Sequence, residues 1–592
     1  MIGFQFQKAN LRGLLVVAIS LLMSACAQPY FKREPQSPPA VPATPEATLD
    51  IEQPVPRDTG PAERLSSELL YSVLLGEIAG QRGALEVSGA SYMEAAASSR
   101  DPRIAERALK IAVFSKQQDV ALQAARRWVE LAPGSLEAHY ALAALALRTG
   151  NQGEALEHFD YLLSTTQSSI GEVDTWQQIL SVLAQEPDQN LAQQLMGQLV
   201  ERRPNDADAC YAYARLAVHA ESWPLAEQQL DRCLQLRPDW TAALILRAQL
   251  SHKQERSDEA RKQLEAAVQR QPKDVELRLA YARLLVDLEA FGEARKQYRA
   301  LLRQQPEDTQ IIFSLALLAL EENQLGEARE MFERLLALGF EPQQVYYYLG
   351  AIAEEQGDAD QALEWYSNVE ESDQWLEVQI RMARLEARGG DVDAARDRLR
   401  KARFSEPTQA QRLFLIEGDI LSQIEWHEEA WTLYSQYLES QPEDIEILYA
   451  RSLVAERLDR LDEAEADLRR VLEIEPDNTR ALNALGYTLT DRTDRHQEAL
   501  EYISRALAQS PDDPAIIDSM GWVLYRLGRL EEAQDYLQKA YALNPDVEIA
   551  AHLGEVTWMM GDREAARALW QKARKKAPGN PVLEDTVRRL SN

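Results

Sequence analysis

The segment Met520–Pro545 reads MGWVLYRLGRLEEAQDYLQKAYALNP, and its pattern decides the fold. Small residues stand at Gly521 and Ala533, twelve positions apart, and Pro545 follows twelve positions later. Between them, apolar side chains recur at three- and four-residue intervals, which is typical of one face of an α-helix. Because a proline cannot continue a helix, the segment predicts two helices of about 13 residues each that end before Pro545.

The same pattern recurs along most of the chain. The alanine of the second helix returns at steps of 33 to 35 residues, with one step of 37, at Ala121, Ala155, Ala192, Ala226, Ala260, Ala294, Ala328, Ala362, Ala395, Ala430, Ala464, Ala499, Ala533 and Ala566. Small residues of the first helix precede most of these alanines by twelve positions. A single helix pair cannot bury its apolar face, so the spacing predicts a stack of pairs.

This register resembles the tetratricopeptide repeat, whose period is 34 residues. Tyr346–Val369, YYYLGAIAEEQGDADQALEWYSNV, is similar to the family consensus, as is Met520–Pro545. Counting back from Ala121 leaves room for one degenerate unit over 65–100, which gives about fifteen units. The resemblance implies an all-α fold, a tetratricopeptide-repeat α-solenoid in which helix pairs form a right-handed superhelix. We expect divergent repeats over 65–204 and regular repeats over 205–592.

The N-terminus has the features of a lipoprotein signal peptide over residues 1–25. Lys8 and Arg12 precede an uncharged, mostly apolar run of ten residues, which is too short to span a bilayer. The run ends in Met23-Ser24-Ala25-Cys26, which resembles a bacterial lipobox except that Leu is usual where Met23 stands. The resemblance implies lipidation of Cys26. Ala27 follows, where Asp would favour the inner membrane, so we expect an outer-membrane anchor that faces the periplasm.

Residues 26–64 form a proline-rich linker with almost no apolar periodicity. Proline lacks an amide donor and fixes φ, so neither a helix nor a sheet is expected there. We interpret this stretch as an extended spacer that holds the repeats away from the membrane. A partner-binding PxxP segment is the alternative.

Composition and motifs argue against several function classes. The chain carries 64 basic and 95 acidic residues, a net charge of −31 that would repel a nucleic-acid backbone. No metalloprotease, hydrolase-elbow, P-loop or dinucleotide motif occurs, and no Cys/His cluster suggests a metal. The sequence therefore predicts no enzyme, no cofactor and no metal. Cys210 and Cys233 lie on the two helices of one unit, either as two small buried residues or as a disulfide.

The repeat register also gives candidate binding residues. In the tetratricopeptide-repeat family the first helix of each unit lines a groove, and aromatic residues and arginine dominate binding hot spots. Trp522, Tyr525 and Trp558 form the strongest candidate cluster, which we expect to be exposed; the alternative is that these rings pack between helices. The groove candidates are Tyr347, Arg384, Arg388, Tyr449, Tyr487, Trp522, Tyr525 and Trp558, with Tyr211, Arg215, Arg283, Phe313, Ile380, Arg412 and Arg526 on the same stripe.

A further resemblance concerns the whole chain. Glu77–Pro133 and Asp518–Trp570 are similar to a family of gammaproteobacterial outer-membrane lipoproteins that act as adaptors. The resemblance implies binding to a periplasmic carboxy-terminal processing serine protease and delivery of peptidoglycan cross-link hydrolases to it. The alternatives are a scaffold for envelope assembly or exopolysaccharide export, and an enzyme that no motif supports.

Overall fold

The computed structural model describes residues 66–166, 175–370 and 372–591. The predictions for the signal peptide, Cys26 and the linker fall outside these residues. The described residues contain 31 α-helices, one short 3-10 helix at Pro407–Gln409 and no β-strand. The expected all-α class is confirmed. Contacts divide the chain into two compact units, whose boundary falls between residues 311 and 312.

The first unit contains seven helix pairs. They are α1 (Ser67–Gln81) with α2 (Leu85–Ser98), α3 (Pro102–Phe114) with α4 (Gln118–Leu131), α5 (Leu136–Arg148) with α6 (Gln152–Thr166), α7 (Thr175–Leu183) with α8 (Gln189–Glu201), α9 (Ala207–His219) with α10 (Trp223–Leu236), α11 (Thr241–Lys253) with α12 (Ser257–Arg270), and α13 (Val275–Asp287) with α14 (Phe291–Gln304).

The second unit contains eight pairs and a final single helix; its first helix begins just before the boundary. They are α15 (Thr309–Glu321) with α16 (Leu325–Ala337), α17 (Pro342–Glu355) with α18 (Ala359–Ser367), α19 (Trp375–Arg388) with α20 (Val392–Ser405), α21 (Ala410–Gln423) with α22 (His427–Ser440), α23 (Ile445–Arg457) with α24 (Leu461–Ile474), α25 (Thr479–Arg492) with α26 (His496–Gln509), α27 (Pro514–Arg526) with α28 (Leu530–Leu543), α29 (Val547–Met559) with α30 (Arg563–Lys576), and finally α31 (Pro581–Ser591).

Fifteen helix pairs in the described residues agree with the expected fifteen or so units. All fourteen register alanines are buried, from Ala121 to Ala566. The prolines also stand where the spacing places them, between one pair and the next. Two residues after several of these prolines, an Asp or Asn side chain accepts an amide hydrogen bond and caps the next first helix, as Asp206, Asp444 and Asn478 do. Where both occur, the closing proline and this cap together fix the boundary.

Within a pair, the small residue of the first helix faces a large side chain of the second. A Cβ atom on Gly554 would lie 2.0 Å from Nε1 of Trp570, and one on Gly350 would lie 2.5 Å from the Tyr366 ring. Gly418 has the same relation to Tyr434. The glycines therefore give room to buried aromatic rings, and both helices of a pair contribute to one core.

Candidate partner-binding surfaces

The predicted groove residues lie on one stripe of the first helices, but the structure buries several of them. Tyr347 on α17 and Tyr449 on α23 are only 6% and 5% exposed. Tyr347 contacts the rings of Tyr348 and Tyr366, and the Arg480 guanidinium lies 5.0 Å from the centre of the Tyr449 ring. Burial raises the pKa of both phenols. These two tyrosines hold helices together in the free protein.

Arg384 and Arg388 differ from these tyrosines because they keep their charges accessible. They lie one turn apart on α19, Arg384 half-buried and Arg388 exposed. In the described part of the chain, neither guanidinium has a carboxylate within ion-pair distance. Two neighbouring unpaired guanidinium groups can bind a carboxylate or another planar anion with several charge-assisted hydrogen bonds.

The expectation of an exposed aromatic cluster is wrong for Trp522. This residue of α27 is 6% exposed and its ring stacks on His552 of α29, with centroids 4.3 Å apart. Its Nε1 donates a hydrogen bond of 3.3 Å to Asp491 of α25. The first helices of three successive pairs approach closely enough to enclose the indole. Repeat spacing could place Trp522 on the stripe but could not show this enclosure.

Tyr487, Tyr525 and Trp558 are half-buried. The Tyr525 hydroxyl donates a hydrogen bond of 3.0 Å to Glu555, and burial together with this carboxylate raises its pKa to about 12. The Tyr487 ring lies 6.3 Å from that of His552, and burial raises its pKa well above the usual value. The Trp558 ring stacks on Trp570 at 5.7 Å. Each ring has an internal partner and offers only part of its surface.

Sequence analysis missed two ion pairs in this region, each with a buried carboxylate. His552 Nδ1 lies 2.9 Å from Asp518 Oδ2, and both residues are buried. Glu555, which is 1% exposed, accepts two hydrogen bonds from Arg589 of α31, at 2.8 and 2.6 Å. Asp518 and His552 occupy nearly equivalent positions of adjacent repeats. A comparison of polar residues at equivalent positions of adjacent repeats could have predicted the pair of Asp518 and His552.

The structure also reveals an apolar stripe on α1 that the sequence analysis did not single out. Leu70, Tyr71, Leu74 and Ile78 are between 45% and 65% exposed. The opposite side of α1, with Leu69 and three small residues, is buried. No helix pair precedes α1 in the described residues, so its outer face has no neighbour there. A clustered apolar face of this kind is typical of an interaction site.

Two other kinds of site are absent from the described residues. No cluster of three or more His, Cys, Asp or Glu side chains there could hold a metal ion. Among the same residues, no helix combines the length and the apolar character needed to traverse a bilayer.

Comparison with known proteins places the chain in a family. Tetratricopeptide-repeat family models match residues 252–318, 313–374, 445–478, 477–546 and 519–581. The TPR repeat-containing protein PA4667 of Pseudomonas aeruginosa is 37% identical over 550 residues, which cover 92% of this chain and 90% of that protein. The chain belongs to this family of tetratricopeptide-repeat proteins. Its repeats indicate a protein–protein interaction scaffold.

Solved structures also resemble the chain. Yeast Tom70 is 15% identical, with a TM-score of 0.34, and the match covers 88% of this chain and 95% of Tom70. A tetratricopeptide repeat protein from Parabacteroides merdae is 17% identical, with a TM-score of 0.35, and the match covers 42% of this chain and 99% of that one. The assignment to the family comes from the repeat models and the Pseudomonas relative.

Proposed function

We propose that the protein is a lipid-anchored adaptor that binds a periplasmic carboxy-terminal processing protease and presents peptidoglycan cross-link hydrolases to it. The proposal starts from the resemblance of Glu77–Pro133 and Asp518–Trp570 to adaptor lipoproteins. The observation that carries it is the exposed stripe of α1. An adaptor must hold two proteins at once, and this stripe provides a second surface, built from residues other than those of the first-helix stripe.

The chemistry of each surface favours a different partner. The α1 stripe is apolar and lies on a helix, so it suits the apolar surface of a folded partner, for which we assign the protease. The first-helix stripe carries Arg384 and Arg388, whose accessible charges suit an extended segment with carboxylates or a free C-terminus. A hydrolase awaiting degradation can supply such a segment.

The anchor is the second part of the proposal. Cys26 in its lipobox would carry the acyl chains, and residues 26–64 would act as the spacer. Two or more acyl chains hold a protein on a membrane stably, whereas one chain is marginal. With Ala27 after the cysteine, we place the protein on the periplasmic face of the outer membrane. Labelling of cells with a radioactive fatty acid tests this: wild type should incorporate label, and Cys26→Ala should not.

Capture experiments test the adaptor function. Full-length protein should retain the purified protease, and the triple variant Leu70→Ser, Leu74→Ser, Ile78→Ser should lose at least tenfold in affinity. Phe404→Ser is the matched control, because Phe404 is 89% exposed at the end of another helix. Equal binding by wild type, triple variant and control would remove the α1 stripe from the proposal.

A second capture experiment uses the hydrolase. Charge reversal at Arg384 and Arg388 should weaken hydrolase binding and leave protease binding unchanged. Arg588→Glu, on the exposed face of α31, is the matched control. The wild-type protein could retain neither enzyme and instead co-purify with an outer-membrane pore or a polysaccharide synthase. That result would contradict the adaptor function and support a scaffold for envelope assembly or export.

A further inference from the structure

Cys210 and Cys233 meet in the core of one helix pair. Cys210 lies on α9 and Cys233 on α10, both side chains are fully buried, and both thiols are free. The two side chains belong to the same hydrophobic core cluster. Cys210 Sγ also lies 3.3 Å from the Asp206 carbonyl oxygen, and Cys233 Sγ lies 3.7 Å from that of Ala207. Both sulfur atoms therefore converge on the first turn of α9.

The repeat itself brings these two positions together. Ile517 and Ala540 occupy the equivalent positions of a later pair, 23 residues apart like the cysteines, and they pack in one cluster. Ala550 and Ala573 do the same in the last pair. The chain has three cysteines, and the two other than Cys26 occupy one such pair of contacting positions. Both cysteines of the described residues therefore stand at core positions that pack together within one helix pair.

We propose that Cys210 and Cys233 form a disulfide bond that joins α9 to α10 when the chain folds in an oxidising compartment. A disulfide of this separation restricts the unfolded chain and so stabilises the folded pair. Periplasmic and extracellular proteins keep such bonds, whereas the reducing cytosol does not. The inference does not depend on which partner the protein binds.

The oxidant is another disulfide, either of a small molecule or of an oxidoreductase. The Cys210 thiolate attacks one of its sulfur atoms, forms a mixed disulfide and releases the first thiolate. The Cys233 thiolate then attacks the Cys210 sulfur, forms the protein disulfide and releases the second thiolate. The two protons lost by the cysteines are taken up by the two released thiolates. The oxidant is thus reduced to two thiols, and the two protein thiols are oxidised.

During a local opening of the folded pair, Cys210 is the better placed of the two to attack first. In the folded pair, interaction with Cys233 lowers the pKa of Cys210, whereas the same interaction and burial raise the pKa of Cys233. Because both thiols are fully buried, an oxidant reaches them only before the pair closes or during a local opening. We therefore expect rapid bond formation during refolding and slow formation in the folded protein.

Mass spectrometry tests the proposal. The full chain is refolded from denaturant with oxidised glutathione, then alkylated under denaturing conditions and digested. The expected product is one linked peptide pair containing Cys210 and Cys233, two hydrogen masses lighter than the two peptides with free thiols. Recovery of both cysteines as alkylated thiols, or as separate glutathione adducts, would overturn the proposal.

Thermal unfolding provides a second readout. The oxidised wild type should unfold several degrees higher than the same protein after reduction. The double variant Cys210→Ala, Cys233→Ala should unfold at one temperature with or without reductant. Retained helical circular dichroism shows that this variant is folded. If the oxidised wild type is no more stable than the reduced form, the disulfide does not stabilise the helix pair. That result would contradict the proposal.

Discussion

The two ends of the repeat array are finished differently. At the C-terminal end, α31 covers the last pair: Leu583 is fully buried, and Arg589 and Glu584 make ion pairs with Glu555 and Arg574. Its outward side carries Asp585 and Arg588, which are polar and exposed. At the N-terminal end of the described residues, α1 has a buried inner side, but its outward side is apolar.

This difference is the basis for proposing α1 as a docking surface. Repeat arrays need end units with a polar outer face, because an apolar end face makes the protein associate. Among the described residues, α31 meets this requirement and the outward side of α1 does not. An exposed apolar stripe costs solubility in the free protein, so its presence on α1 is consistent with a partner that covers it. At the C-terminal end, α31 covers the last helix pair.

The largest effect on stability should come from the buried side of α31, the helix that covers the last pair. Leu583→Ala removes a fully buried side chain and should destabilise the protein by about 3 kcal/mol. Urea unfolding followed by circular dichroism measures this loss. Ile78→Ala on α1 is the control, because its half-exposed side chain should cost much less. Equal losses for the two variants would contradict the proposed difference between the ends.

The ion pair between α31 and α29 should contribute somewhat less. Arg589→Ala leaves the buried Glu555 with only the Tyr525 hydroxyl among its present side-chain partners. Losing two charge-assisted hydrogen bonds of this kind costs about 2 kcal/mol. Arg588→Ala is the matched control, since its partner Asp585 is on the same exposed helix face. If both arginine variants unfold at the same urea concentration as the wild type, the ion pair of Arg589 with Glu555 does not stabilise the packing of α31 on α29.

The same end shows what sequence could predict and what it could not. The register of Ala566 and Gly554 gave the last pair, because repeat spacing alone fixes those positions. The burial of Trp522 depends on how closely α25, α27 and α29 approach, which no single repeat encodes. The stripe of α1 escaped notice because Leu70, Leu74 and Ile78 follow the spacing of any buried helix face. They differ from a buried face only because no helix pair precedes α1 in the described residues.

A smaller, pH-dependent effect should come from the buried pair of His552 and Asp518. Burial lowers the pKa of His552, but the neighbouring Asp518, Asp491 and Glu555 outweigh burial, so the net shift is upward. A raised pKa means that the stabilisation is complete below about 6.5, the unfolded value, and is lost as the pH rises through the folded value. Asp518→Asn should therefore destabilise the protein more at pH 6 than at pH 9, as measured by urea unfolding. A loss that is the same at both values would show that His552 is neutral throughout.

The smallest effect on stability should come from the α1 stripe. Leu74→Ser replaces a side chain that is already 51% exposed, so the free energy of unfolding should change by less than about 0.5 kcal/mol. Solubility should rise at the same time, which light scattering of concentrated protein can measure. A loss of several kcal/mol would show that Leu74 belongs to the core of the first pair rather than to a docking surface.

Reconstituted cleavage tests whether the protein joins two enzymes through its two proposed surfaces. The purified processing protease and a peptidoglycan cross-link hydrolase are mixed with and without the full chain, and hydrolase loss is followed over time. Wild-type protein should accelerate cleavage, and both the α1 triple variant and the variant reversed at Arg384 and Arg388 should fail to do so. The two matched controls should act like wild type. Cleavage that is equally fast with no added protein, or with both binding variants, would contradict the account.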